Sequence, residues 1–458
     1  MPRRDLARNT ALLTASSLLM SAVGMLYQAW LAGRLGPAGL GLWQLTLSVS
    51  RLGATFAISG VRFAATRLVA EELGREAAGD VRAAMRRCLA YGSFFGLAAL
   101  LILLLLAEPV GVLAIGDART VPSLRLAALS LPCIALSAAL SGYFTACGRI
   151  GHPTRIHLFE QLAGAAFVWF FLGFVRPGDL ARSAAAVALG QAAADLLSLL
   201  LMMLAYLGDS RAHYAPGGGG EALTARMLHI ALPLALSAYA RSALSTLQHL
   251  LVPRGLRAAG YSADRALAGY GVVQGMALPL LFFPSCLLGA LAELIVPELT
   301  EAQVRHETEA IRRTVRKLLR GSLFYSLAVG AFLFFCAEPL AVLAYKSSQA
   351  GRYIRILAPL VPLLYTDMAV DGCLKGLGQQ LWSIGINVLD ALLGLLLLWK
   401  LLPRFALTGY LALVYLTEVF NFALSALRLR RVLRRPDAPS GGRRPCEGSE
   451  KCACRAAS

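Results

Sequence analysis

The chain has 458 residues, 57% of them hydrophobic and 15% charged, with a net charge of +18 and a mean hydropathy of +0.63. Soluble domains run nearer a quarter charged, so the composition excludes a soluble globular fold. No basic motif interleaved with aromatics supports nucleic-acid binding, and no Gly-rich phosphate loop, HExxH helix or G-x-S-x-G elbow supports an enzyme.

A bilayer span needs about 20 mostly apolar residues. Twelve such windows are predicted, at about 10–32, 40–60, 88–107, 122–147, 155–175, 183–207, 225–251, 266–292, 319–343, 353–376, 380–402 and 407–427. The leading "MPRRDLARNT" is basic, but the apolar stretch after it runs to Trp30 without a short h-region and cleavage box. It reads as a first span rather than a cleaved signal. The second window holds Arg51 near its middle, and the seventh holds Arg241. The expected units are a six-helix lobe (1–207), a polar Gly-rich cytoplasmic linker (208–222), a second six-helix lobe (223–430) and a disordered basic cytoplasmic tail (431–458). With the N-terminus inside, 29 of the 44 Lys and Arg residues fall on cytoplasmic segments and 13 on outer ones. That bias is the positive-inside rule, and it accounts for most of the basic charge. Both termini are therefore expected in the cytoplasm. Six cysteines fall in or beside spans and read as small buried hydrophobes. Cys446, Cys452 and Cys454 share the tail without a zinc-like spacing.

The two halves repeat. "AEPVGVLAIG" (Ala107–Gly116) recurs as "AEPLAVLAYK" (Ala337–Lys346), and the same offset of 230 carries Arg125 onto Arg355, Pro132 onto Pro362, Gly142 onto Gly372, Gly148 onto Gly378 and Gly164 onto Gly394. It also carries "AGLGLWQ" (Ala38–Gln44) onto "AGYGVVQ" (Ala268–Gln274). Six spans repeated in one orientation are a parallel repeat about an axis along the membrane normal. Two lobes about a central cavity are the architecture of an alternating-access transporter.

Charges inside the spans are the candidate site. A central arginine costs about 2.5–3.5 kcal/mol on insertion scales, and Arg51 lies roughly 16 Å from either end of its span, too deep for easy snorkelling. The offset of 230 places Leu281 opposite Arg51, and Ser21 falls opposite Arg241, so the scaffold requires neither charge. Arginines facing one cavity suit a phosphate-bearing headgroup. Arg51 and Arg241 are the chief candidates, against pairing with a buried carboxylate, and Arg34 and Arg62 lie near span ends. Asp367, Asp371 and Lys375 share one helical face, where Asp371 and Lys375 are spaced to neutralise each other. Asn387 and Asp390, with Glu418 or Thr417, supply oxygens for a coupling ion, Na+ or H+. Glu160 and Asp390 are repeat mates, which points to a shared scaffold role. Asp195 carries no assignment. No other cofactor is expected.

The segments "GRLGPAGLGLWQLTLSVSRLGATFAISGVRFAATRLVAEE" (Gly33–Glu72), "SLRLAALSLPCIALSAALSGYFTACGRI" (Ser123–Ile150) and "AGRYIRILAPLVPLLYTDMAVDGCLKGLGQQ" (Ala350–Gln380) resemble the stage V sporulation protein B family. That family belongs to the multidrug/oligosaccharidyl-lipid/polysaccharide exporter superfamily. The resemblance covers most of residues 5–430. It implies an all-α, MATE-like fold of about twelve transmembrane helices in two lobes. It also implies flipping of a polyprenyl-linked saccharide across the cytoplasmic membrane, for cell wall or spore cortex. The related lipid II flippases line their cavity with arginines, in kind with Arg51 and Arg241. Two departures stand out: relatives often carry two further spans that form a groove for the lipid tail, and often a proline where this chain has Arg62. The partners so implied are an anionic lipid-linked saccharide and membrane lipids, for a monomer. The competing reading is a cation-coupled multidrug antiporter, whose bacterial members usually carry a carboxylate in span 1 or 7. Neither span has one here. A third is a sporulation protein acting through assembly partners.

Overall fold

Gly36 adopts φ 68°, ψ 176°, and Pro37 follows it. A positive φ is open to glycine at little cost, and proline with φ near −65° begins a helix well, so the pair turns one helix into the next. Ala406 (φ 48°, ψ −129°), shortly after Pro403, breaks a second long helix, here with a non-glycine residue at positive φ. The computed structural model describes residues 3–74, 78–149, 151–176, 178–213 and 223–434. Among these it contains helices and turns but no strand.

The first lobe comprises α1 (3–35), α2 (37–58, continued by Val61–Gly74), α3 (Ala78–Pro109), α4 (Ala118–Ala146), α5 (Gly151–Leu172) and α6 (Leu180–His213). The second comprises α7 (Leu223–Ala258), α8 (Ala263–Val304), α9 (Thr308–Phe335), α10 (Ser348–Gly376), α11 (380–405) and α12 (407–434). Among the described residues, eight segments are long and apolar enough to cross a bilayer, with the α11–α12 hairpin counting as one. The architecture is the expected one of two six-helix lobes. The segment 208–222 falls only partly on described residues, since α6 continues to His213. Residues 435–458, with Cys446, Cys452 and Cys454, lie outside them.

The repeat is physical. Glu108 pairs with Arg125 at 3.6 Å, and their mates Glu338 and Arg355 approach to 3.9 Å. Gly116 (φ 76°) and its mate Lys346 (φ 52°) both end a helical turn in the left-handed region, and the next residues, Asp117 and Ser347, both cap the following helix. Gly148 (φ 71°) and Gly378 (φ 70°) turn the chain identically at the end where the chain begins, here called the N-terminal face. The opposite end is the far face.

One helix serves both lobes. Leu223, Met227 and Ala231 of α7 are buried in the first-lobe core with Val61, Leu68 and Tyr143. Val252 and Leu256, farther along α7, pack with Leu398 and Leu402 of α11. Pro233, which removes a helical hydrogen bond, lies at the first of these contacts.

Candidate functional site

Between the lobes lies a cavity of about 610 Å³ whose walls come from α1, α2, α7 and α8. Its polar lining includes Ser21, Gln28, Gln44, Ser48, His249 and Gln274, and Arg51 enters it from the middle of α2. No ion pair or hydrogen bond to the Arg51 guanidinium is found among the described residues, and the side chain is exposed to the cavity. The nearby polar groups satisfy one another instead: Tyr270 Oη and His249 Nδ1 are 3.0 Å apart. Thr246 Oγ1 donates to the Ser48 carbonyl at 3.1 Å, and Thr55 Oγ1 donates to Ser242 Oγ at 3.2 Å. This α2–α7 seam fixes the helix that carries Arg51 while leaving its charge uncompensated.

The cavity is closed at the far face by backbone contact. Gly41 and Gly271 are repeat mates, and a Cβ on Gly41 would lie 2.1 Å from the Leu267 carbonyl oxygen. Outside this crossing, Arg119 bridges Asp117 (2.7 Å) of its own lobe and Asp264 (2.6 Å) of the other. Arg257 Nη1 donates to the Gly116 carbonyl at 2.8 Å. Burial raises the Asp117 carboxyl, but hydrogen bonds and charge from Arg119 outweigh it and hold the group below the ordinary carboxylate range. A depressed folded-state value means that stability is present above the unfolded value and lost as pH falls through the folded one. The protection of residues 115–121 against hydrogen exchange, taken relative to the intrinsic rate at each pH, is therefore expected to stay constant from about pH 8 to 5 and to fall only as pH drops below the ordinary carboxylate value of about 4. Protection already lost at about pH 6 would contradict the Asp117 anchor.

The other sequence candidates separate. Arg241 is exposed on α7 and is not among the residues lining this cavity, although Ser21, opposite it in the repeat, is. Arg34 lines a different cavity of about 430 Å³ at the far face, with Trp30, Trp169 and Arg176. Arg62 is exposed on the extension of α2 toward the N-terminal face. The acids of the second lobe do gather. Asp367 accepts from Asn421 Nδ2 at 3.2 Å, and Glu418 lies within charge reach of Asp367 and Asp390. Asp367 Oδ1, Asp390 Oδ1 and Asn421 Oδ1 are buried with no hydrogen-bond partner. Asp371 pairs with Lys375 at 2.6 Å and accepts from Ser383, and Asn387 is exposed. No group of three His, Cys, Asp or Glu residues among the described ones is arranged to hold a metal ion.

Several lining groups were not singled out in the sequence: Gln28, Gln44, Gln274 and His249. Gln44 and Gln274 are repeat mates, and a polar residue retained at both copies of an apolar span was the available signal. Asp195, 8% exposed, belongs to a first-lobe cluster with Glu160 and His157. The last two line a cavity of about 790 Å³ with Tyr27 and Gln191.

Two six-helix lobes related by a parallel repeat, enclosing a polar cavity sealed at one face, define a membrane transporter. The MatE family profile matches residues 13–170 and 256–399, well over half of the sequence, and the chain belongs to the MatE family, within the multidrug/oligosaccharidyl-lipid/polysaccharide exporter superfamily. It is 24% identical over 404 residues to stage V sporulation protein B of Bacillus subtilis (strain 168), covering 86% of this chain and 77% of that one. Among solved structures, it is similar to the lipid II flippase MurJ in an inward closed conformation (TM-score 0.72, 11% identity, 93% of this chain and 90% of that one). It is also similar to a multidrug resistance MATE family transporter in an inward-facing conformation (TM-score 0.71, 14% identity, 92% and 96%).

Proposed function

We propose that the protein flips a polyprenyl-pyrophosphate-linked saccharide across the cytoplasmic membrane by alternating access, with both termini in the cytoplasm. The observation that carries this is Arg51, an unpaired guanidinium presented to a polar cavity between two lobes. Its planar fork matches a phosphate, and its insertion cost is offset only when a counter-charge or water reaches it. The resemblance to stage V sporulation protein B and to the MurJ fold supports a lipid-linked substrate. Cationic drugs would be repelled by Arg51, and neither α1 nor α7 offers a carboxylate within its span to receive them. In this reading the far-face contacts close the cavity on its outer side. Coupling to a cation is proposed for the Asp367, Asp390 and Glu418 cluster.

The test is binding of a polyprenyl-pyrophosphate saccharide to purified protein, wild type beside Arg51→Gln. Affinity is expected to fall about tenfold, equivalent to about 1.4 kcal/mol, with thermal stability unchanged. Equal binding by both proteins, or none by the wild type, would sink the assignment. Arg241→Gln is expected to change affinity less than threefold, because its side chain lies outside the cavity.

A further inference from the structure

A second cationic feature, sharing no lining residue with the inter-lobe cavity, lies on the second lobe. At the N-terminal face a groove of about 730 Å³ runs between α9 and α12. Arg312, Arg316 and Arg320 line it from α9, and Arg430 and Arg434 face them from α12. Spacings of four residues stack each set on one helical face. Arg312 is held in place: its Nη2 donates to the Leu433 carbonyl at 3.1 Å, and its Nη1 lies 3.4 Å from Glu309. For Arg316, Arg320, Arg430 and Arg434 no ion pair or hydrogen bond is found among the described residues, and all four are exposed.

Like charges four residues apart on a helix repel, and here two such rows confront each other. Topology alone does not demand this, because Arg313 and Lys317 on the same turns of α9 already supply positive charge without lining the groove. The groove is also not purely polar. Leu319 and Leu323 form its wall, and beyond them Phe324 and Leu327 are exposed at 78% and 53%. A ligand seated here meets cations at one end and a hydrocarbon-facing helix surface at the other.

We infer that this groove binds the headgroup of an anionic glycerophospholipid, with phosphate oxygens among Arg316, Arg320 and Arg430 and acyl chains along Leu323 and Leu327. Basic pockets between membrane helices at the cytoplasmic interface suit phosphate headgroups, and guanidinium forks suit phosphate oxygens. A free phosphate would leave the apolar wall unused. The transported lipid is not the favoured occupant, because none of α1, α2, α7 or α8, which form the transport cavity, contributes to the groove. The bound lipid acts as a counter-ion that ties α9 to α12.

The experiment is native mass spectrometry of the full chain released from phosphatidylcholine nanodiscs containing a small fraction of cardiolipin. Wild type is expected to retain cardiolipin adducts, and the triple variant Arg316→Gln/Arg320→Gln/Arg430→Gln to retain at least about tenfold fewer. Arg313→Gln/Lys317→Gln, which removes charge from the same helix outside the groove, is expected to match wild type. Should the triple variant misfold, Arg320→Gln and Arg430→Gln are measured singly, each with an expected loss of about threefold. Retention equal in wild type and groove variants overturns the site, and so does an equal loss in the Arg313/Lys317 control. Displacement by millimolar inorganic phosphate would make it a free-phosphate site, and preferential retention of polyprenyl phosphate would make it a station for the transported lipid. Either result overturns the phospholipid assignment. The readout does not involve transport, so it stands or falls separately from the flippase reading.

Discussion

Replacing Gly271 with alanine is expected to open the far face. The added Cβ would lie 2.1 Å from the Pro37 carbonyl oxygen and 2.6 Å from the Gly41 nitrogen. Both are backbone atoms in helices, so no side chain can rotate away and the lobes themselves must separate. Overpacking typically costs about 1–3 kcal/mol. Because the contact is lost when the lobes part, that cost falls only on the closed state. Converted at about 1.4 kcal/mol per tenfold, it shifts the closed-to-open ratio by roughly 5- to 140-fold. Spin labels at Arg182 of the first lobe and Lys346 of the second, in a background without other cysteines, would report it as a longer inter-label distance. Gly41→Ala is expected to act alike, with its Cβ 2.1 Å from the Leu267 oxygen. Gly385→Ala, where a Cβ meets nothing within 4 Å, is expected to be silent. An unchanged distance in Gly271→Ala would show that the crossing does not hold the far face shut.

Gly41 and Gly271 also show what the sequence contained. The offset of 230 paired them, and a parallel two-lobe repeat followed from the pairing. That repeat mates would touch does not follow from periodicity, because it depends on how closely the pseudo-twofold axis passes each helix. Arg51 was legible because a deep charge in an apolar span needs a polar surface, and the cavity supplies it. Arg241 passed the same test and yet lines no part of that cavity. It sits eight residues before His249, which does line the cavity, and at about 100° per residue the two point roughly 80° apart around α7. Hydropathy fixes the depth of a residue in a span, whereas rotation about the helix axis is set by packing. The dual allegiance of α7 was hidden for a related reason. Pro233 weakens the helix, but only the buried positions of Met227 and Ala231 reveal that its first half belongs to the other lobe's core.

The second-lobe acids carry the other large expected effect. Asp371 is already answered by Lys375 and Ser383, and Asn387 faces outward, which narrows the set read from sequence to Asp367, Asp390 and Glu418, with Asn421 added. Each buried charge in a bilayer costs several kcal/mol, and neighbouring carboxylates oppose one another's ionisation. Three of them with two orphaned carboxylate oxygens and an orphaned amide oxygen therefore require either shared protons or a cation. A shared proton is the simpler case to test. Glu418→Gln fixes one acid in a neutral form, so transport driven by an imposed proton gradient is expected to fall at least about tenfold. Asp390→Asn is expected to do the same, while binding of the polyprenyl pyrophosphate proposed for Arg51 stays within about twofold. Such a split between transport and binding is what separates a coupling site from a structural one, since a merely misfolded lobe would lose both. Gradient dependence retained in both variants would remove the cluster from the cycle. Dependence on Na+ rather than pH would keep the cluster and replace the proton by the ion.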